Sequence, residues 1–268
     1  MNKKYFSKEH DQFLKLMRIK NLKIKVCQIG ILILFIIFWE LASKIGIIDS
    51  FLVSSPSRIW STLVNLHRDG QLWNNVFATV LETVLGFVIG TVLGILFAII
   101  IWWSDFAFKV SEPYLVVLNA LPKVALGPIV IIWMGASIKA IIVMALLVSV
   151  IISTINILAG FRIVEKNKIL LMKSFGANRL QILTKLVFPA NIYVIISTLK
   201  INVGMSLIGV ITGEFLVASK GIGYLIVYGG QVFKMDLVMA GIFALLIIAI
   251  LIYFSVAWIE SVCLKHRK

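Results

Sequence analysis

The chain has 268 residues, 60% of them hydrophobic and only 14% charged, with a net charge of +14, and its mean hydropathy is +1.03. These values exclude an ordinary soluble domain and describe an integral membrane protein. In such a chain a positive excess points first to loops that fix orientation, so no nucleic-acid partner is expected.

Taken in chain order, residues 1–25 form a basic tail whose stretch "FLKLMRIKNLKIK" mixes cations and apolar residues. It suits a helix or strand lying at the headgroups, or a disordered basic tail. A helix crossing about 30 Å of hydrocarbon needs roughly 20 mostly apolar residues. Six windows meet or approach this: 26–43 with Glu40, 83–104, 115–137 with Lys123 and two prolines, 140–161, 192–217 with Lys200 and Glu214, and 237–259. The fifth is close to break-even. Its 14 Leu, Ile, Val and Phe residues supply about −7 kcal/mol against about +3 for each central charge, so it should face protein or a watery path. The 25 polar and basic residues before the first window make a cleavable signal peptide the poorer reading.

Six spans put both termini on one side. Of the 26 Lys and Arg residues, 18 fall on that side and six on the other, with Lys123 and Lys200 inside spans; this places both termini in the cytoplasm of a multi-pass cell-membrane protein. Cys27 and Cys263 then lie where thiols stay reduced, so no disulfide is expected. His10, His67 and His266 have no metal-ligand spacing, and neither a metal nor another cofactor is expected. The chain divides into the basic tail 1–25, a membrane domain 26–261 with a cytoplasmic loop at about 162–189, and a basic tail 262–268.

Within that loop, "KSFGANRLQILTKLVFPA" (173–190) encodes helix, sharp turn, helix. Gly176 suits a left-handed helix end, and Asn178 with Gln181 three residues on suits a capping box. Leu180, Leu183 and Val187 recur at helical spacing, with Arg179 and Lys185 off the stripe. Pro189 disfavours helix at Phe188 and should set this element at an angle to the next span. Such an element either lies flat on the membrane or docks into a soluble partner.

The stretch 170–189 resembles the coupling loop of type I ATP-binding-cassette importer permeases, with Gly176, Leu186, Phe188 and Pro189 at that motif's Gly, Ile, Leu and Pro positions. Leu170, Leu171 and Met172 stand where the motif has Glu-Ala-Ala. "LPKVALGPIVIIWMG" (121–135), "LAGFR" (158–162), "TLKINVG" (198–204) and "GEFLVASKGIGYLI" (213–226) extend the likeness to the nitrate, sulfonate and taurine branch over about residues 70–235. The resemblance implies an all-α, six-span MetI-like fold and a non-enzymatic permease subunit. Its implied partners are an ABC ATPase dimer, an extracytoplasmic solute-binding protein, a second copy of the chain and membrane lipid. It implies ATPase coupling for Met172, Lys173, Gly176, Ala177, Arg179, Leu186 and Pro189.

Pro122 and Pro128, with Gly127, break the third window, which should therefore be buried or line the pathway. Glu214, Gly221 and Gly223 are implied gate residues; the plain alternative is an interfacial glutamate beside a glycine turn. Lys200 snorkels, pairs with an acid such as Glu82, or faces the pathway. Gly86, Gly90 and Gly94 permit close helix packing, within the chain or at a subunit contact. The implied cargo is a small solute such as nitrate, a sulfonate or taurine, with a pyrimidine, thiamine or riboflavin precursor as the alternative. A secondary transporter should show paired broken helices in two halves, and only one broken window is present; a serine–lysine hydrolase at Ser197 and Lys200 lacks supporting motifs. The "YGGQ" stretch (228–231) has no GxxxxGK[ST] accompanying it.

Overall fold

The computed structural model describes residues 8–217 and 219–265, without the side chains of 8–12, 259 and 262–265. The outermost ends of both tails, and the side chains of His10, Cys263 and His266, therefore lie outside the described residues. The described residues fold as helices: α1 (Lys8–Lys44), α2 (Ser50–Val53), α3 (Pro56–Arg68), α4 (Gln71–Trp102), α5 (Asp105–Ala120), α6 (Gly127–Met134), α7 (Ile138–Ile163), α8 (Lys166–Ser174), α9 (Arg179–Ile182), α10 (Phe188–Ala190), α11 (Ile192–Val217), α12 (Ile222–Gln231) and α13 (Met235–Lys265). Five of these, α1, α4, α7, α11 and α13, are long and apolar enough to cross a membrane. Helices α5 and α6, bent by 89° at the break between them, pass the same test of length and composition as a pair, and counted as one broken span they bring the number to six.

The boundaries differ from the sequence windows in informative ways. The first span continues into the basic tail as one helix, because no proline or glycine interrupts residues 8–29. Helix α4 begins at Gln71, twelve residues before its apolar window, because its first three turns pack on protein through Asn75, Thr79 and Glu82. The third window spans the bend itself: Leu121 and Pro122 are extended, and the Lys123 ammonium donates to the Asn119 carbonyl that the break frees.

Helices α4, α7 and α11 form the centre. Lipid is as apolar as leucine, so spans associate through close approach and internal polar contacts. The glycines of α4 permit this: a Cβ at Gly86, Gly90 or Gly94 would run into Ala145, Ser149 or Ser153 of α7. Of the two uses open to that stripe, the structure shows packing within the chain. On α11, Gly209 and Gly213 similarly meet the α7 backbone at Ala145 and Ile141. Asn202 donates to the Thr91 hydroxyl at 2.7 Å, joining α11 to α4. Helices α12 and α13 and then α3 pack outside this trio through Leu66, Ile222, Leu225, Leu237, Ala244 and Ile248. An ion pair between Lys200 and Glu260 ties α11 to α13.

Candidate functional site

The structure places the sequence-predicted residues at opposite ends of the trio. At one end, called here the loop end, α4 and α7 finish, α11 begins, and α8 to α10 connect α7 to α11. Helix α8 closes through Gly176 at φ +77, where Ala177 N–H reaches the Met172 carbonyl at 3.0 Å and Gly176 N–H reaches that of Lys173 at 2.9 Å. This is a Schellman closure, and the left-handed backbone it needs is one that glycine adopts without a Cβ penalty. Helix α9 then starts at once: Gln181 N–H donates to Asn178 Oδ1 at 2.8 Å and Asn178 N–H to Gln181 Oε1 at 2.9 Å, a complete capping box.

The elbow has two faces. Ile182, Leu183 and Val187 are buried among Ala98 and Ile101 of α4, Ile157, Leu158 and Phe161 of α7, and Ile195 of α11, with Met172, Ala177, Leu186 and Phe188 partly buried against them. Fully burying side chains of this size contributes about 2 kcal/mol each, so the elbow is firmly joined to all three central helices. Leu171, Phe175 and Leu180 are exposed, Phe175 by 82%, together with Lys173 and Arg179. The expected stripe is thereby corrected. Leu180 points away from the core and Ile182 occupies the inner face, because α9 is only four residues long before the helix widens.

The expected break at Phe188 is also absent. Residues Leu183–Val187 form a π turn, and Phe188 remains helical at φ −64°, ψ −49°. Its N–H reaches Leu183 O, five residues back, so the widened turn delivers the chain to Pro189 in helical geometry, with the proline in the first turn of α10 where a donor is not needed. The interruption falls instead at Asn191, at φ −105° and ψ 12°.

At the far end a buried polar clasp holds the turn between α11 and α12. Glu214, 1% exposed, accepts from the Thr79 hydroxyl at 2.6 Å and from Gly223 N–H at 2.5 Å. The Thr79 hydroxyl accepts from Ile222 N–H at 2.8 Å, and Asn75 Oδ1 accepts from Gly221 N–H at 2.7 Å. Gly221 sits at φ +116, and a Cβ there would overlap the Glu214 carboxylate. Three successive backbone donors of the turn, at residues 221 to 223, are thus satisfied by α4 and α11, which a buried turn requires. Glu82, 3% exposed, lies against Glu214.

Of the six pathway residues read from the sequence, this clasp brings together Glu214, Gly221 and Gly223. The glutamate is buried within the protein beside the glycine turn. Pro122 and Pro128 flank the segment whose Gly127 lies against Leu216 and Met144, yet both prolines and their neighbours Val124, Ile132 and Trp133 are exposed on the single chain. Lys200 stands elsewhere: of its three readings, pairing with an acid holds, but the acid is Glu260 rather than Glu82. Asn75, Thr79 and Glu82 were missed as partners of the clasp. The signal was present, since an acid and two hydrogen-bonding residues recur on one face of an apolar helix at positions 75, 79 and 82.

The chain as a whole is similar to known proteins. A probable ABC transporter permease protein of Haemophilus influenzae is 29% identical over 91% of this chain and 97% of its own length. A formylaminopyrimidine transport permease protein of Halalkalibacterium halodurans is 27% identical over 88% and 94%, and a taurine transport system permease protein of Escherichia coli 24% identical over 84% and 83%. The fold is that of a chain in an inward-facing structure of the MetNI methionine ABC transporter, with a TM-score of 0.58 over 76% of this chain and 97% of that one at 18% identity. Residues 90–262 match the family of binding-protein-dependent transport system inner membrane components. The chain belongs to that family and is an ABC importer permease of the type I, MetI-like fold, a transport subunit and not an enzyme.

Proposed function

We propose that the elbow at residues 166–190 is the docking and coupling element for an ABC ATPase dimer, and that the clasp at Glu214, Gly221 and Gly223 is the gate region at the opposite face. In this reading Lys173, Gly176 and Arg179 form the docking side of the elbow, while Met172, Ala177, Leu186 and Pro189 join it to the spans. Both termini and the elbow lie in the cytoplasm, residues 26–261 form the membrane domain, and the tails flank it. Two copies enclose the path. The exposed backbone bend at Leu121 and Pro122 supports this, since hydrocarbon cannot satisfy it and a second copy or a watery path can. Lys200 braces α11 rather than binding cargo.

The observation that carries the coupling role is the division of the elbow: an inner face packed into α4, α7 and α11, and an outer face presenting Leu171, Phe175 and Leu180 unpartnered. A body anchored in this way moves with the helices that line the path when a partner pulls on its outer face. An extracytoplasmic binding protein delivers the cargo. That cargo is a small solute such as nitrate, a sulfonate or taurine, or else a pyrimidine, thiamine or riboflavin precursor; the taurine and formylaminopyrimidine permeases among the relatives support both classes. Replacing Gly176 by valine tests the coupling role. The variant should insert normally but lose co-purification with the ATPase, and unchanged co-purification overturns the assignment.

A further inference from the structure

At the loop end a cavity of about 400 Å³ opens between the ends of α4 and α7 and the elbow. Its polar lining holds four cations, Arg162, Lys166, Lys173 and Arg179, and one carboxylate, Asp105. We propose that this cavity binds the phosphate of an anionic phospholipid headgroup.

Three features lead to this ligand. The first is free charge. Arg162 is engaged with Asp105 at 3.0 Å and lies over the Phe108 ring at 3.8 Å, and Arg179 donates to the Trp103 carbonyl. Each uses one of the five donors of its guanidinium in these hydrogen bonds. Lys166 and Lys173 have no ion-pair partner within 4 Å among the described residues. The carboxylate already serves Arg162, so the cavity keeps a net positive field with several donors unassigned. The second is depth. Trp102 closes α4 and Trp103 caps it, and Phe161 lies in the last turn of α7. Both helices are long and apolar enough to be spans, and a cavity at their ends, beside two tryptophans, has the composition of the boundary where hydrocarbon gives way to phosphates. The third is a mixed wall. Trp102, Phe161, Val164, Ile169 and Ile182 line the same cavity as the cations. A free anion has nothing to place against that wall, whereas a phospholipid carries its phosphate on an apolar body. Basic pockets between spans at this depth are suited to acidic headgroups.

The cavity borders the proposed docking side, with which it shares Lys173 and Arg179, but the exposed apolar residues Leu171, Phe175 and Leu180 are absent from its lining. Its occupant would nonetheless set how tightly the elbow rests on α4 and α7.

The test uses the full-length chain in vesicles of phosphatidylcholine containing brominated phosphatidylglycerol or brominated phosphatidylcholine, with tryptophan quenching as the readout. Wild type should be quenched preferentially by the anionic lipid. Arg162→Gln and Lys166→Gln, each neutralising one lining cation and leaving the basic N-terminal tail intact, should each weaken that preference by roughly fivefold. Lys166 is exposed, so its variant should fold normally even if the Arg162 variant does not. Inorganic phosphate at tens of millimolar should leave the quenching unchanged. Equal quenching by the two lipids, or an undiminished preference in Lys166→Gln, overturns the proposal. Competition by inorganic phosphate overturns the lipid assignment in favour of a soluble anion, and protection of the cavity only when the ATPase is bound assigns it to the partner instead. Co-purification of the ATPase with Lys166→Gln, measured separately, keeps a failure here distinct from a failure of the coupling assignment.

Discussion

The two ends of the helix trio solve the same problem, a tight turn between helices, by opposite means. At the loop end the turn is closed by its own neighbours: the hydrogen bonds around Gly176 and Asn178 span no more than five residues, and a Cβ at Gly176 would meet nothing within 4 Å. At the far end the turn around Gly221 is closed by residues 143 and 146 positions away, with Glu214 alone close in sequence, and a Cβ at Gly221 would strike that glutamate. Local closure makes the elbow a rigid part whatever the spans do. Remote closure ties the far turn to the relative placement of α4 and α11, so a shift between those helices must break it. Under the proposed roles, the elbow keeps its shape while pulled and the far turn releases.

Paired glycine variants break this comparison most sharply. Gly221→Ala adds both left-handed strain and a clash with a buried carboxylate, and should cost at least about 3 kcal/mol, read as a lowered thermal midpoint of the solubilised chain. Gly176→Ala adds strain alone and should cost only about 1 kcal/mol; equal losses would mean that the far turn relaxes freely. A smaller effect sharpens the local side. Asn178→Ala removes the cap of α9, worth about 1 kcal/mol, and should speed hydrogen exchange at the Gln181 amide while leaving the far-end amides of Gly221 and Ile222 protected. The smallest effect belongs to the pair that joins the spans between the two ends. Lys200 and Glu260 are 29% and 24% exposed, so Lys200→Met, which leaves the carboxylate without its cation, should lower the midpoint only slightly. The double variant Lys200→Met with Glu260→Leu should recover that loss in the same melting measurement.

The difference between the ends also explains what was legible beforehand. Gly176, Asn178 and Gln181 could be read as turn and cap because every partner lies within a few residues, where spacing alone dictates geometry. Glu214, Gly221 and Gly223 could be marked as unusual, but Asn75, Thr79 and Glu82 lie more than 130 positions earlier, and no local rule links them. Lys200 shows the same limit. An intramembrane lysine demands a partner, which the sequence states, but Glu82 and Glu260 are equally plausible until α13 is placed beside α11. At Phe188 a local rule failed because Pro189 forbids only the ordinary helical ladder, and the π turn from Leu183 to Val187 supplied another. The exposure of Leu180 follows from the same widening.

By itself the sequence determined that this chain crosses a membrane several times through long apolar helices, that a basic helical elbow interrupts them, and that the elbow's motif belongs to importer permeases. Those properties depend on hydropathy, on charge and on bonds between near neighbours. Only the tertiary structure decided that the α4 glycines serve α7, that Lys200 answers Glu260, that the third crossing bends by 89°, and that four cations of the loop end share one cavity. Each of these depends on which helix faces which, and in lipid that is settled by the fit of small residues and the pairing of buried polar groups across the whole bundle.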